Sequence, residues 1–383
     1  MSERRIGIVM NGVTGRMGRN QHLMFSIAAI RREGGVVLSD GTRLIPEPLL
    51  VGRDPERLAK VAEAAGIERW TTDLDAALAG EENDIYFDAV VTSSRAENLR
   101  KAIAAGKHIY TEKPTAESLD DATDVYSLAK AAGVKSGVVA DKLWAPGIAK
   151  LRTLVKTGFF GNILMVRIEG CYWVFEGDIQ TPQRPSWNYR KADGGGMILD
   201  MMPHYAYMLE AIGGRPLDVV CHADTLVGER WDERGKPYRA DADDTLFSIS
   251  RQESGSTAQI MSSWCVRVRR DDIITVQVDG SDGSAVAGLS HCWVQRREAT
   301  PRGSWSLDLA EPIDYRRDWQ LVPQTEPYKN AYRTQWEQFL RHVAEDEDFP
   351  WTLHMGARGV QFAAAAEESW KERRWVDVPA LPA

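Results

Sequence analysis

Over residues 5–141 the chain alternates short apolar runs with helix-like segments, and that rhythm leaves few folds open. RIGIVM (5–10) reads as a strand buried on both faces, and a helix from about Arg19 to Arg32 follows. PLLVGRD (48–54), DAVVTSS (88–94), HIYTEKP and KSGVVAD (135–141) read as four further strands. The segments between them close on glycine, as at Gly66. EGGVVLSDGTRLIPE (33–47), with its Asp40-Gly41 turn signal, reads as a hairpin inserted before the second strand. Strands separated by helices of about 10–15 residues predict βαβ units and a parallel, doubly wound sheet. The first domain is accordingly placed at residues 1–141 and a second at 142–383, since a chain of 383 residues exceeds one ordinary core.

Three glycines, Gly12, Gly15 and Gly18, directly follow the first strand and open the first helix. In that context a glycine turn lets backbone N–H groups and the helix N-terminus face a pyrophosphate. The expected cofactor set is therefore Gly12, Thr14, Gly15, Arg16, Met17 and Gly18, joined by Ser93 and Ser94 at the end of the third strand. An NAD site commonly ends its second strand with an acid on the ribose. Here Gly52 stands at that place and Arg53 follows, which suits a 2′-phosphate, so the expectation is NAD(P) with a lean to NADP. Asp54 stays open as a ribose partner, and Arg53 lies at about twice the usual ~20-residue distance from the glycine turn.

A formal net charge of -8, with no block of Lys or Arg, argues against a nucleic-acid partner. No apolar run reaches the ~20 residues of a spanning helix, and MSERRIGIVMNG lacks a signal-like apolar region, so a cytoplasmic protein is expected. The four cysteines form no C-x-x-C pair and read as thiols rather than zinc ligands or disulfides. Among thirteen tryptophans, Trp173 and Trp187 fall where a substrate would be held; each is either a face for a sugar or a core side chain.

From about Asp141 the composition turns β-rich, at 163–177, 243–252, 256–270 and 272–288, with turn signals between the runs, which predicts an antiparallel or mixed sheet in the second domain. Between those strands lies GGGMILDMMPHY. Pro203 belongs in a first turn, so the helix that Gly213 and Gly214 close is expected to begin near Asp200. Asp200 then either N-caps it or orients His204, which shares its face. No nearby His, Cys or acid completes a metal site, and none is expected. Acid–base work suits the pair better, because a histidine titrates near cellular pH and a carboxylate holds it. Asp193 would repel a phosphate, so the three glycines are expected to let the backbone approach the nicotinamide or another strand.

At Glu112-Lys113-Pro114, preceded by AAGKH, the chain resembles the Gfo/Idh/MocA oxidoreductases. The N-terminal glycine turn, LWAPGIAKLRTLVKTGFFGNI, DGGGMILDMMPHY and the C-terminal QWEQFLRHV and GVQFAAAAEESWKERRWVDVP carry the same likeness in order. The resemblance implies a Rossmann domain, then an α+β domain on a large, mostly antiparallel open sheet for substrate binding and oligomerisation. It implies a bound nicotinamide and a hydride exchanged with a secondary alcohol of a sugar, glycoside or polyol. Lys113, Asp200 and His204 match its reaction site, Glu112 and Lys142 its cofactor surroundings, and a homodimer or homotetramer its usual assembly. Arg95 stands near a histidine of many relatives and Met202 where many have glycine, which alters the pocket. Some relatives instead cleave glycosides by transient oxidation with held NAD+, and a cofactor-binding sensor without catalysis is a further alternative.

Overall fold

A computed structural model describes residues 2–325 and 327–382. The chain divides into two compact units: Met1–Trp144 with Lys329–Ala364 and Ala380–Ala383, and Ala145–Tyr328 with Ala365–Pro379. Among the described residues, no helix is long and apolar enough to cross a membrane.

The first unit is built on β1 (Glu3–Asn11), β2 (Val36–Val37), β3 (Arg43–Val51), β4 (Trp70–Thr71), β5 (Ile85–Asp88), β6 (His108–Thr111) and β7 (Ser136–Val138). Their order is β2-β3-β1-β5-β6-β7, with β4 beside β3. All pairs are parallel except β2–β3, which is the inserted hairpin. Between them run α1 (Ala28–Arg32), α2 (Pro55–Ala65), α3 (Leu74–Ala79), α4 (Thr92–Ala104) and α5 (Leu119–Ala131). Asp54, Asp73 and Ser118 each accept a first-turn N–H of α2, α3 and α5, respectively, and Gly66 ends α2 in the left-handed region.

Local departures from the sequence reading have physical causes. The first helix begins as a π-helix over Met17–Ile27 before continuing as α1. β3 starts five residues before Pro48 and keeps two prolines inside a strand. Leu50 N–H bonds outward to Arg69, so Pro46 and Pro48, in the same alternation, lack their donors on the side where β2 and β4 leave a gap. The third strand is Ile85–Asp88 rather than 88–94, because the chain turns after Asp88 and enters α4 at Thr92. β4 and α3 are short elements that periodicity does not reveal.

The second unit opens with α6 (Pro146–Lys156) and centres on β8 (Ile163–Cys171), α7 (Met197–Gly213) and β9 (Asp218–Asp224). A small hairpin, β10 (Glu229–Trp231) and β11 (Pro237–Arg239), precedes β12 (Thr245–Arg251), β13 (Thr257–Ser263), β14 (Ile274–Gly280), β15 (Gly283–Ala287), β16 (Cys292–Arg296) and β17 (Gln320–Leu321). The nine-stranded sheet runs β17-β16-β15-β14-β8-β13-β12-β9-β18, with β18 at Val376–Asp377. Only β8 and β13 pair in parallel. α7 lies on this sheet: Gly170 of β8 leaves room for Tyr205, whose hydroxyl donates to Ser262 of β13 at 2.7 Å.

Residues Lys329–Ala364 belong to the first unit and contain α8 (Ala331–Glu345), which packs on the π-helix. Gln335 of α8 accepts from Ala140 N–H and donates to the Val138 carbonyl, so the edge of β7 is satisfied by a side chain. The last helix is α9 (Leu353–Glu372).

Candidate active site

In the first unit, Asn11, Asp88 and Thr111 stand side by side at the carboxyl ends of β1, β5 and β6. The glycine turn leaves β1 there, α4 with Ser93 and Ser94 in its first turn follows β5, and Glu112-Lys113-Pro114 follows β6. Three segments expected to serve the cofactor or the reaction thus share one edge of a parallel sheet, the edge at which such sheets bind ligands.

The turn has the shape a dinucleotide needs. Gly12 is at φ +87°, and a Cβ there would lie 2.5 Å from the Ala89 backbone; one on Gly18 would lie 2.4 Å from the Gly12 carbonyl oxygen. Both glycines let the turn fold tightly onto β5 and back onto itself. Gly15 meets only the Gly12 oxygen at 3.4 Å and is exposed with Arg16. The N-cap residue Arg16 makes no side-chain cap hydrogen bond to the helix that starts at Met17, and its first turn holds no acid. Such a terminus fits a pyrophosphate. At the end of β3, Arg53 is exposed, while Asp54 accepts from Arg57 N–H at 3.1 Å as the cap of α2.

Lys113 sits in a turn braced on both sides. Glu112, nearly buried, accepts from His22 Nε2 at 2.8 Å through one carboxylate oxygen and from the Lys113 N–H at 3.1 Å through the other. Burial pushes the Glu112 carboxyl up, but the His22 hydrogen bond and the neighbouring Lys113 and Arg95 charges hold it below its ordinary value. Pro114, joined to Lys113 by a cis peptide bond, has its carbonyl bonded by Arg95. Arg95 is itself buried, pairs with Asp88 at 3.0 Å and donates to the Val90 carbonyl at 2.6 Å. Asp88 accepts from Tyr86, whose hydroxyl accepts from Asn11, so a continuous buried network joins β1 to the lysine turn. Arg95 is therefore structural to that turn. Lys142 bonds the buried Asp141 beside it.

In the second unit, α7 begins at Met197, three residues before Asp200, and Pro203 lies inside it. Asp200 is therefore a first-turn residue and not the cap. Asp243, far along the chain, does the capping: its carboxylate accepts from Ile198 N–H at 2.8 Å and its carbonyl from Met197 N–H at 2.8 Å. Burial raises the Asp243 carboxyl above its ordinary value, against the Ile198 hydrogen bond. The glycines serve this arrangement. A Cβ on Gly195 would meet the Trp187 oxygen at 2.4 Å, and Gly196, at φ +129°, leaves 2.6 Å to Asp243 Oδ1.

Asp200 accepts from Arg184 at 3.0 Å, and the Arg184 guanidinium lies 4.2 Å over the buried Trp264 ring. His204 is nearly buried, and its Nδ1 is 2.6 Å from the Tyr207 hydroxyl. In the tautomer that donates Nδ1–H to Tyr207, Nε2 carries the lone pair that a base requires. Sequence reasoning missed Arg184, Tyr207 and Asp243. Tyr207 shares the His204 face at i+3 and could have been read; Arg184 and Asp243 lie in other segments. Of the aromatic candidates, Trp187 is about half exposed, while Arg267 stacks over Trp173 at 4.1 Å.

Residues 6–139 match the oxidoreductase family with an NAD-binding Rossmann fold, and residues 148–286 match the GFO/IDH/MocA C-terminal domain. The chain is 49% identical over 380 residues to a D-xylose dehydrogenase of Paenarthrobacter nicotinovorans, covering 98% of each. It is 24% identical to a myo-inositol 2-dehydrogenase of Thermotoga maritima, covering 89% of this chain and 95% of that one. A levoglucosan dehydrogenase solved with NADH and L-sorbose shares the fold, with a TM-score of 0.81 at 21% identity over 98% of this chain and 99% of that one.

Proposed function

The chain belongs to the Gfo/Idh/MocA oxidoreductases, with an NAD-binding Rossmann region, and from that premise we propose that it oxidises a hydroxyl-bearing carbon of a small sugar or polyol, or reduces the matching carbonyl. D-xylose is the first substrate to test, because a relative sharing half of its residues is a D-xylose dehydrogenase. One observation carries the reading: the glycine turn and Lys113 leave the same edge of the first sheet from β1 and β6, with β5 between, roughly 10 Å apart at the strand spacing.

In this proposal the unit that holds residues 1–141 and Lys329–Ala364 binds the cofactor, and the unit with the nine-stranded sheet binds the substrate. The glycine turn and helix N-terminus hold the pyrophosphate. When bound, the nicotinamide accepts or returns the hydride. His204 takes the hydroxyl proton on Nε2, with Tyr207 fixing its ring. Lys113 places a cation where negative charge develops on the substrate oxygen, and Asp200, held by Arg184, favours the imidazolium. Arg53, with Asp54 committed to α2, supports acceptance of a 2′-phosphate and thus NADP alongside NAD. Phe247 and Ile249, exposed on β12, support self-association as a dimer or tetramer through the outer face of the second sheet.

The test is a screen of aldoses and polyols, led by D-xylose, with NAD+ and NADP+ side by side, read as reduced nicotinamide. Sugar-dependent reduction is expected. Release of sugar from glycosides with no net reduction, or cofactor binding with neither reaction, would replace the proposal.

A further inference from the structure

The π-helix after the glycine turn carries a buried histidine that the proposed chemistry does not use. His22 is fully buried, and π-helical turns concentrate at functional sites. Its Nδ1 is 3.0 Å from Trp336 Nε1 of α8, and its Nε2 is 2.8 Å from Glu112 Oε1. An indole N–H only donates, so Nδ1 must accept; the ring proton of neutral His22 is then on Nε2 and points at the Glu112 carboxylate. Glu112 passes the constraint on, because its other oxygen holds the Lys113 N–H at 3.1 Å. Phe87 at 4.4 Å between ring centroids and Tyr332 at 5.1 Å wall in the ring, so it has no room to turn away.

We propose that His22 is a positioning residue for Lys113, acting through Glu112, and that Trp336 selects the tautomer that makes this possible. The inference rests on the role given to Lys113 above. Its consequence is that α8, distant in sequence, sets the place of the lysine relative to the glycine turn: one end of the hydrogen-bonded chain is Trp336, the middle lies on the helix that starts at that turn, and the other end is the Lys113 backbone. Glutamine is the conservative replacement, since its carbonyl can accept from Trp336 while its amide donates to Glu112; leucine keeps the bulk and does neither.

The experiment compares His22→Leu and His22→Gln with wild type and with Lys113→Ala. Melting temperature, the dissociation constant for NAD(P)H by its fluorescence, and kcat and KM for the sugar that reacts fastest in the screen are measured. His22→Leu is expected to lower kcat ~10- to 100-fold through misplacement of the lysine, with KM and cofactor affinity within about threefold, and His22→Gln to recover most of the loss. Wild-type kcat in a folded His22→Leu protein, or equal losses in the two variants, overturns the proposal. If Lys113→Ala turns over like wild type, it is the functional reading that has failed. If His22→Leu does not fold, or no sugar is oxidised, the side-chain 15N–1H spectrum of the seven histidines of the wild type decides, with His22→Gln identifying the signal. A His22 proton on Nε2 is expected, and a proton on Nδ1 overturns the proposal.

Discussion

Arg184 and Tyr207 change what the conspicuous residues of α7 can do. Asp200 is only partly exposed and is paired with Arg184. Arg184→Met removes that guanidinium from a half-buried carboxylate beside the proposed base and is expected to lower kcat/KM by ~10- to 100-fold. Steady-state kinetics on the folded variant checks this, and an unchanged ratio would show that Asp200 needs no such partner. Glu112 gives a pH prediction. Its folded-state value is depressed below the ordinary 4.5, so its contribution to stability is fully present above about pH 4.5 and is lost as pH falls towards the lower folded value. Glu112→Gln is expected to flatten that part of the acid limb in urea melts taken from pH 5 to 3, while wild type falls; parallel curves would contradict it. Lys113, Asp200 and His204 enter the proposal through motifs that stand within single stretches of the chain. His22, Arg184 and Trp336 were not legible in the sequence, because their partners come from segments that only the fold brings together.

The elements were legible where local chemistry is self-contained. Gly66 announces the end of α2 and RIGIVM announces β1, while Asp54, kept open as a ribose partner, proves to be the cap of α2. The start of α7 was misread because its cap, Asp243, belongs to the approach to β12, and no local signal replaces it. Two substitutions separate the parts of that junction. Asp243→Ala removes the cap and is expected to cost about 1–2 kcal/mol. Gly196→Ala forces a Cβ towards Asp243 at a φ of +129° and is expected to cost about 1–3 kcal/mol. Both are read by thermal or urea unfolding. Stability equal to wild type in Gly196→Ala would mean that the loop relaxes freely. The π-helix had no signature in the sequence reading: the same residues satisfy an ordinary helical pattern, and the two differ in the spacing of backbone hydrogen bonds, which side-chain periodicity does not report.

For the whole molecule, alternating strands and helices placed a doubly wound sheet first and consecutive strands an antiparallel or mixed sheet after it, while the family resemblance supplied that second sheet's size and mostly antiparallel order. Cofactor choice is finer and hangs on the end of β3. Arg53→Ala is expected to raise KM for NADP+ by about tenfold and to leave NAD+ unchanged, as loss of one charge-assisted phosphate contact would. Equal effects on both cofactors would remove Arg53 from the site. In the proposed chemistry this Gfo/Idh/MocA protein moves a hydride with His204 as its base. The most direct measurement is the sugar-dependent rate of nicotinamide reduction by His204→Ala, in protein shown to be folded and to bind NAD(P)H as wild type does. The expected fall in kcat is ~100- to 10,000-fold. A rate within a few-fold of wild type would contradict it.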